Sequence, residues 1–286
     1  MGPVTHLISA AGLAHEIEDV VVIDVRWALT AGRAPSADDA PVGWADYVAG
    51  HVPGACFVDL DTELAAPPGE GGRHPLPEPA VVERALRRCG VRSDSRIVVY
   101  DGRESYAAAR AWWVLRWVGL TDVRVLNGGY AAWLAAGLPV STEVPGERHG
   151  DVVVTAGFAA TTDAAGAARW ADHGVLLDAR APQRYAGETE PIDPVAGHIP
   201  GGINSPTTDW LAADGTFRRD LAEHWATVSA GHEDEPVAVY CGSGVTAAHL
   251  VLALAEVGVD ATLYPGSWSE WIRDPSRPIA LGPTPG

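Results

Sequence analysis

Four short stretches of this chain occur twice, in the same order. Ile23-Asp24-Val25-Arg26 returns as Leu177-Asp178-Ala179-Arg180, and Gly50-His51-Val52-Pro53-Gly54 as Gly197-His198-Ile199-Pro200-Gly201. Val99-Tyr100-Asp101-Gly102 returns as Val239-Tyr240-Cys241-Gly242, and Gly128-Gly129-Tyr130-Ala131-Ala132-Trp133 as Gly266-Ser267-Trp268-Ser269-Glu270-Trp271. The offset drifts from 154 residues (24 to 178) to 138 (133 to 271). Solenoid repeats have periods of ~20–50 residues. A single repetition at this spacing means two copies of one domain, and 286 residues suffice for two domains of ordinary size.

Each copy alternates β-branched runs with amphipathic stretches. In the first half, 20–25, 97–100 and 123–126 read as strands, and 81–89, 105–118 and 130–136 as helices. In the second half, 175–178, 237–240 and 261–264 read as strands, and 247–257 as a helix. Such alternation predicts an α/β fold in which each copy is a parallel sheet flanked by helices. The expected boundaries are 1–140 for the first domain, 141–151 for a linker and 152–286 for the second domain. The linker falls in a stretch marked by Pro139, Pro145 and Gly146. Ligands of such sheets bind at the carboxyl ends of strands, and Cys241 ends one.

A net charge of -17, with no Lys/Arg cluster, argues against nucleic acid as a partner. No apolar run reaches the ~18 residues of a membrane span. The opening residues, Met1 to His6, lack the basic and apolar regions of a signal peptide. Cys56, Cys89 and Cys241 are widely spaced and odd in number, which suggests neither a zinc site nor a disulfide framework. On this reading Cys56 and Cys89 pack in the interior, and a reducing cytoplasm keeps Cys241 a thiol.

Cys241 follows a strand and precedes Gly242-Ser243-Gly244-Val245-Thr246 and an apolar helix. A loop of this kind aims backbone N–H groups at one point before a helix N-terminus. A thiol there is biased toward the nucleophilic thiolate. The first copy has Asp101 at this place, so one copy is a candidate catalyst and the other a candidate support. A cysteine phosphatase needs an arginine six residues after its cysteine, where Ala247 stands here. No G-x-S-x-G elbow supports an esterase. His51 and His198 recur in both copies and read as structural. Trp113 and Trp117, four apart on a helix, read as packing.

The loop Cys241–Ala247 resembles that of the 3-mercaptopyruvate sulfurtransferases, within the two-domain rhodanese superfamily. Gly50–Gly54, Tyr100-Asp101, Arg110–Trp113, Asp178–Arg180, Arg184–Gly187, His198–Gly201 and Gly266–Trp271 extend the resemblance over nearly the whole chain. It implies tandem rhodanese-like domains and an enzyme that carries sulfur as a persulfide on Cys241. Members that use thiosulfate have Arg and Lys directly after the cysteine, where this chain has Gly242 and Ser243. The resemblance therefore points to 3-mercaptopyruvate as donor. Arg180 and Arg184 would hold its carboxylate. Backbone amides of Gly242, Gly244, Val245 and Thr246 would cradle the sulfur. Ser243, His74 and Asp61 would form a proton relay. A further arginine that the family often carries after Glu-Pro is absent, because Glu190-Pro191 leads into Ile192-Asp193. Expected acceptors are cyanide, a small thiol or a thioredoxin-like protein, with no cofactor and no metal. The alternatives are a thiosulfate:cyanide sulfurtransferase and a rhodanese-like binding module without turnover.

Overall fold

The computed structural model describes residues 5–29, 40–232 and 234–286. The N-terminal residues 1–4, part of the stretch read for a leader, lie outside them. By packing, the chain forms two units. The first comprises Met1–Ala66, Leu76–Ala159 and Ala213–Thr216; the second comprises Pro67–Pro75, Ala160–Ala212 and Phe217–Gly286. The segment Pro67–Pro75 thus leaves the first half of the sequence and packs as part of the second unit.

The first unit holds strands β1 (Leu7–Ile8), β2 (Val21–Asp24), β3 (Cys56–Phe57), β4 (Ile97–Tyr100) and β5 (Val123–Leu126), in the order β1-β5-β4-β2-β3. The second holds β6 (Val175–Asp178), β7 (Ile203–Asn204), β8 (Val237–Tyr240) and β9 (Ala261–Leu263), in the order β7-β6-β8-β9. All these pairings are parallel. β4, β6 and β8 are buried along their whole length. A parallel sheet covered on both faces needs such uninterrupted apolar runs, which is why these strands show no polar alternation. Pro79 starts the helix Pro79–Arg88 at a position where its missing N–H costs nothing. The two-residue strands carry too little pattern to be read from sequence, although Cys56-Phe57 lies in a strand-like run.

The repeated motifs build the same buried cluster in each unit. Arg26 donates to both Asp24 carboxylate oxygens and to Gly50 O (2.7 Å), and its guanidinium lies 4.4 Å from the centre of the Tyr130 ring. Tyr100 donates its hydroxyl to Asp24 Oδ2 (2.6 Å) and accepts from Val52 N–H. In the second unit Arg180 grips Asp178 in the same way and donates to Gly197 O (2.7 Å), its guanidinium 4.7 Å from a Trp268 ring. Ile199 N–H donates to the Tyr240 hydroxyl there. Both aspartates are fully buried. A buried ion pair needs further partners for its donors and acceptors, and the recurring Gly carbonyl and Tyr hydroxyl supply part of them in each unit. His51 and His198 each stack on a tyrosine, with Nδ1 2.8 Å from a backbone carbonyl oxygen. Trp113 and Trp117 stack at 6.3 Å.

Cys56 and Cys89 require a correction. They are joined as a disulfide with a Cα–Cα distance of 5.5 Å. Their sequence separation of 33 hid the pairing. β3 and the end of the helix Pro79–Arg88 bring the two together, which spacing alone does not show. Cys241 is the free cysteine among the described residues. In the chain-entropy account, a crosslink closing such a loop stabilises by ~3–4 kcal/mol. Denaturation without reductant should leave only Cys241 open to alkylation, as read by peptide mass spectrometry. Labelling of Cys56 and Cys89 in the unreduced protein would contradict the pairing.

Candidate active site

β8 delivers Cys241 to the carboxyl edge of the second sheet, at an interior strand. The helix Val245–Glu256 starts four residues later, capped by Gly244 in the left-handed region at φ +79°. A Cβ at Gly244 would lie 2.3 Å from Pro265 O, so this position has no room for a side chain. Gly244 N–H donates to Cys241 Sγ at 3.1 Å. Val245 is buried and Thr246 half-buried in the first turn that follows.

The Gly-Ser-Trp-Ser segment is a clamp for this loop. Trp268 N–H donates to Cys241 O and Ser269 N–H to Gly242 O, both at 2.9 Å. Ser267, held at φ 54°, accepts from Cys241 N–H (3.1 Å) and donates to Tyr264 O (2.8 Å). Left-handed backbone in a non-glycine residue is uncommon and marks a position the surroundings enforce. The first unit repeats the clamp, with Tyr130 N–H donating to Asp101 O and Ala131 N–H to Gly102 O.

At the position of Cys241, the first unit holds a carboxylate in place of the thiol. Asp101 Oδ1 accepts from Arg103 and Ser105 N–H, and Oδ2 from Ala107 and Ala108 N–H. Full burial pushes this carboxyl up to about 6 against the opposing pull of those amides. The cradle of the first unit is therefore filled by its own side chain.

His74 Nδ1 lies 2.8 Å from Ser243 Oγ, and both residues are largely buried. The segment carrying His74 is seated by close approach. Gly72, at φ +98°, would place a Cβ 2.7 Å from Gly266 O and Ser269 Oγ, and Arg73 N–H donates to Ser269 Oγ (3.0 Å). Asp61, the third expected member of the relay, lies in the first unit and accepts from Trp27 Nε1–H (3.0 Å).

The two expected arginines differ. Arg180 is 3% exposed and bound to Asp178 and Gly197 O, the same partners as its counterpart Arg26. That arrangement is structural: burial works against the charge on its guanidinium, but the Asp178 carboxylate outweighs it and keeps the group protonated. Nη1 of Arg180 is buried without a hydrogen-bond partner, 3.6 Å from Glu190 Oε2. Arg184 faces the loop. A Cβ at Gly242 would lie 3.4 Å from Arg184 Nη2 and 2.9 Å from Arg73 Nη2. Arg184 pairs with Glu190 (2.8 Å) and Asp193 (3.2 Å), and Arg73 Nη1 with Asp193. Arg73 was not singled out from the sequence. Its one signal is Gly71-Gly72-Arg73-His74, a cation on a glycine-hinged stretch beside the relay histidine.

The arrangement combines a free thiol under a backbone N–H, a hydroxyl–imidazole pair two residues on, and two guanidiniums above the intervening glycine. Such a set can accept an anionic sulfur donor, attack it with the thiolate and move one proton. The sequence pattern of the rhodanese-like domain matches residues 9–136 and again 161–274. The chain is 46% identical to a Mycobacterium tuberculosis protein named "Putative thiosulfate sulfurtransferase SseB", over 96% of this chain and 97% of that one. It is 44% identical to a Pseudomonas aeruginosa protein named "Probable 3-mercaptopyruvate sulfurtransferase", over 96% and 98%. The crystal structure of SseA from Escherichia coli, described as a 3-mercaptopyruvate sulfurtransferase, superposes with a TM-score of 0.77 at 32% identity. That match covers 93% of this chain and all of that one.

Two glycines separate the demands of the loop. Gly244 (φ +79°) meets Pro265 O, whereas Gly258 (φ +80°) has nothing within 4 Å of its would-be Cβ. Gly258→Ala should cost only the left-handed backbone, roughly 1–2 kcal/mol. Gly244→Ala should cost more than that and depress the unfolding midpoint further. Equal midpoints in thermal or urea unfolding would contradict the described tightness of the loop.

Proposed function

The chain belongs to the rhodanese-like family, and on that footing we propose that Cys241 carries sulfur from 3-mercaptopyruvate to a thiol or cyanide acceptor as a persulfide. The enzyme is a sulfurtransferase. The observation that carries the assignment to Cys241 is its place at the clamped strand end, with Gly244 N–H on its sulfur.

The Cys241 thiolate attacks the sulfur of the donor. A sulfur–sulfur bond forms and the donor's carbon–sulfur bond breaks, its electron pair leaving on carbon as the enolate of pyruvate. The proton of the donor's thiol group moves to that enolate, and the Ser243–His74 pair is placed to relay it. The products are pyruvate and the Cys241 persulfide. An acceptor nucleophile then takes the outer sulfur and restores the thiolate; cyanide leaves as thiocyanate. Arg184 meets the donor carboxylate beside Gly242. No described helix is long and apolar enough to cross a membrane. A reducing cytoplasm is the proposed setting, since it preserves Cys241 as a thiol; the Cys56–Cys89 disulfide, of a kind rare in such a compartment, counts against it.

Thiosulfate is the second reading, favoured by the name of the Mycobacterium relative. Against it stand Gly242 and Ser243, which put no cation directly after the cysteine. With thiosulfate the same attack releases sulfite, and no proton has to be delivered to carbon. The relay therefore distinguishes the donors. His74→Gln should lower kcat for 3-mercaptopyruvate by about 10²-fold or more and leave thiosulfate turnover far less affected. Cys241→Ser should abolish transfer from both. Residual transfer in Cys241→Ser would remove the mechanism, and equal losses with both donors in His74→Gln would remove the relay.

A further inference from the structure

Two guanidiniums converge on Gly242 and share one carboxylate. Asp193 Oδ1 pairs with Arg73 and Oδ2 with Arg184, so a single side chain bridges the two cations. Asp193 is 8% exposed, and its N–H is bound by Glu190 Oε1 (3.1 Å). Both guanidiniums come within 3.5 Å of the would-be Cβ of Gly242, next to the reactive sulfur. Burial weakens proton binding by Arg73; the nearby Cys241 opposes this, and Arg184 adds to it. Nε of Arg73 is buried without a hydrogen-bond partner. Two forks aimed at one carboxylate, with unused donors left over, form an anion seat.

We propose that Arg73 is a donor-binding residue and that Asp193 is a built-in competing anion, which sets the charge of donor the seat accepts. The proposal rests on the sulfurtransferase reading for its substrate. Arg73, Arg184, Glu190 and Asp193 sum to zero formal charge. A donor with one carboxylate needs one of the two forks freed from Asp193. A dianion such as thiosulfate brings a second negative charge to a set with no net charge to meet it. The cation that the Glu-Pro segment lacks is thereby supplied by Arg73, from the Gly71-Gly72 stretch, while Asp193 holds it in place and moderates it. Asp193 touches no reacting atom in this account and is a positioning residue.

The experiment separates this from the sulfurtransferase reading by measuring alkylation of Cys241, which requires no turnover. Iodoacetate carries a carboxylate and iodoacetamide does not. The iodoacetate:iodoacetamide rate ratio should fall about tenfold in Arg73→Gln and rise by a similar factor in Asp193→Asn. Arg73→Lys keeps the charge without the fork and should fall between Arg73→Gln and the unaltered protein. In steady-state assays, Asp193→Asn should raise kcat/KM for thiosulfate by about tenfold relative to 3-mercaptopyruvate. Arg73→Gln should act mainly on KM. An unchanged alkylation ratio in Asp193→Asn, with an unaltered melting temperature, would overturn the proposal. So would parallel losses in both variants, as expected of a purely structural pair. If the alkylation ratios shift as stated but no variant or parent transfers sulfur, the anion seat stands and the sulfurtransferase reading fails.

Discussion

The backbone clamp between the Cys241 loop and the Gly266–Trp271 segment governs the second unit. Two carbonyl oxygens of the loop, on Cys241 and Gly242, are tied to consecutive N–H groups of that segment, and the Cys241 N–H is tied to the Ser267 hydroxyl. These bonds fix the loop before any chemistry is considered. They force left-handed backbone on Ser267 and, with Pro265 O, exclude a side chain at Gly244. The buried Asp178–Arg180 pair supports the clamp from below, with the Arg180 guanidinium close to Trp268. The first unit keeps the clamp and the ion pair yet fills its cradle with Asp101. The scaffold therefore survives without the thiol, and the chemistry is an addition to it.

Around that fixed loop, function depends on charge balance. The chain is strongly acidic, so the attraction of an anionic donor has to be local. In the proposed mechanism Arg73 and Arg184 provide it, each already matched by a carboxylate. Preformed ion pairs keep the guanidiniums aligned at little reorganisation cost, and they weaken the pull on any incoming anion. A site built this way favours selectivity over affinity. Ser243 in the place of a cation, and His74 against it, fit a reaction in which a proton must reach carbon.

Much of this was legible in the sequence because it rests on short-range pattern. Fully buried parallel strands show as β-branched runs, and 97–100, 123–126, 175–178 and 237–240 match the structure residue for residue. The duplication exposed the two-domain plan and the exchange of Cys241 for Asp101. Contacts across long separations were not legible. The Cys56–Cys89 bond joins residues whose proximity only the folded sheet creates. Arg73 lies 120 residues before Asp193, and nothing local marks them as partners. Arg180 and Arg184 looked alike as candidates, since four-residue spacing cannot show that one is held by Asp178 and the other faces Gly242. His74 and Ser243 were paired through resemblance to a family, and the structure brings them within hydrogen-bonding distance.

The central claim is that Cys241 holds transferable sulfur. The most direct measurement is intact and peptide mass spectrometry of the protein incubated with 3-mercaptopyruvate and no acceptor. The account predicts one added sulfur atom, located on the peptide bearing Cys241 and removed when cyanide is added. A protein that releases pyruvate without gaining sulfur, or that gains it on another residue, would contradict the account.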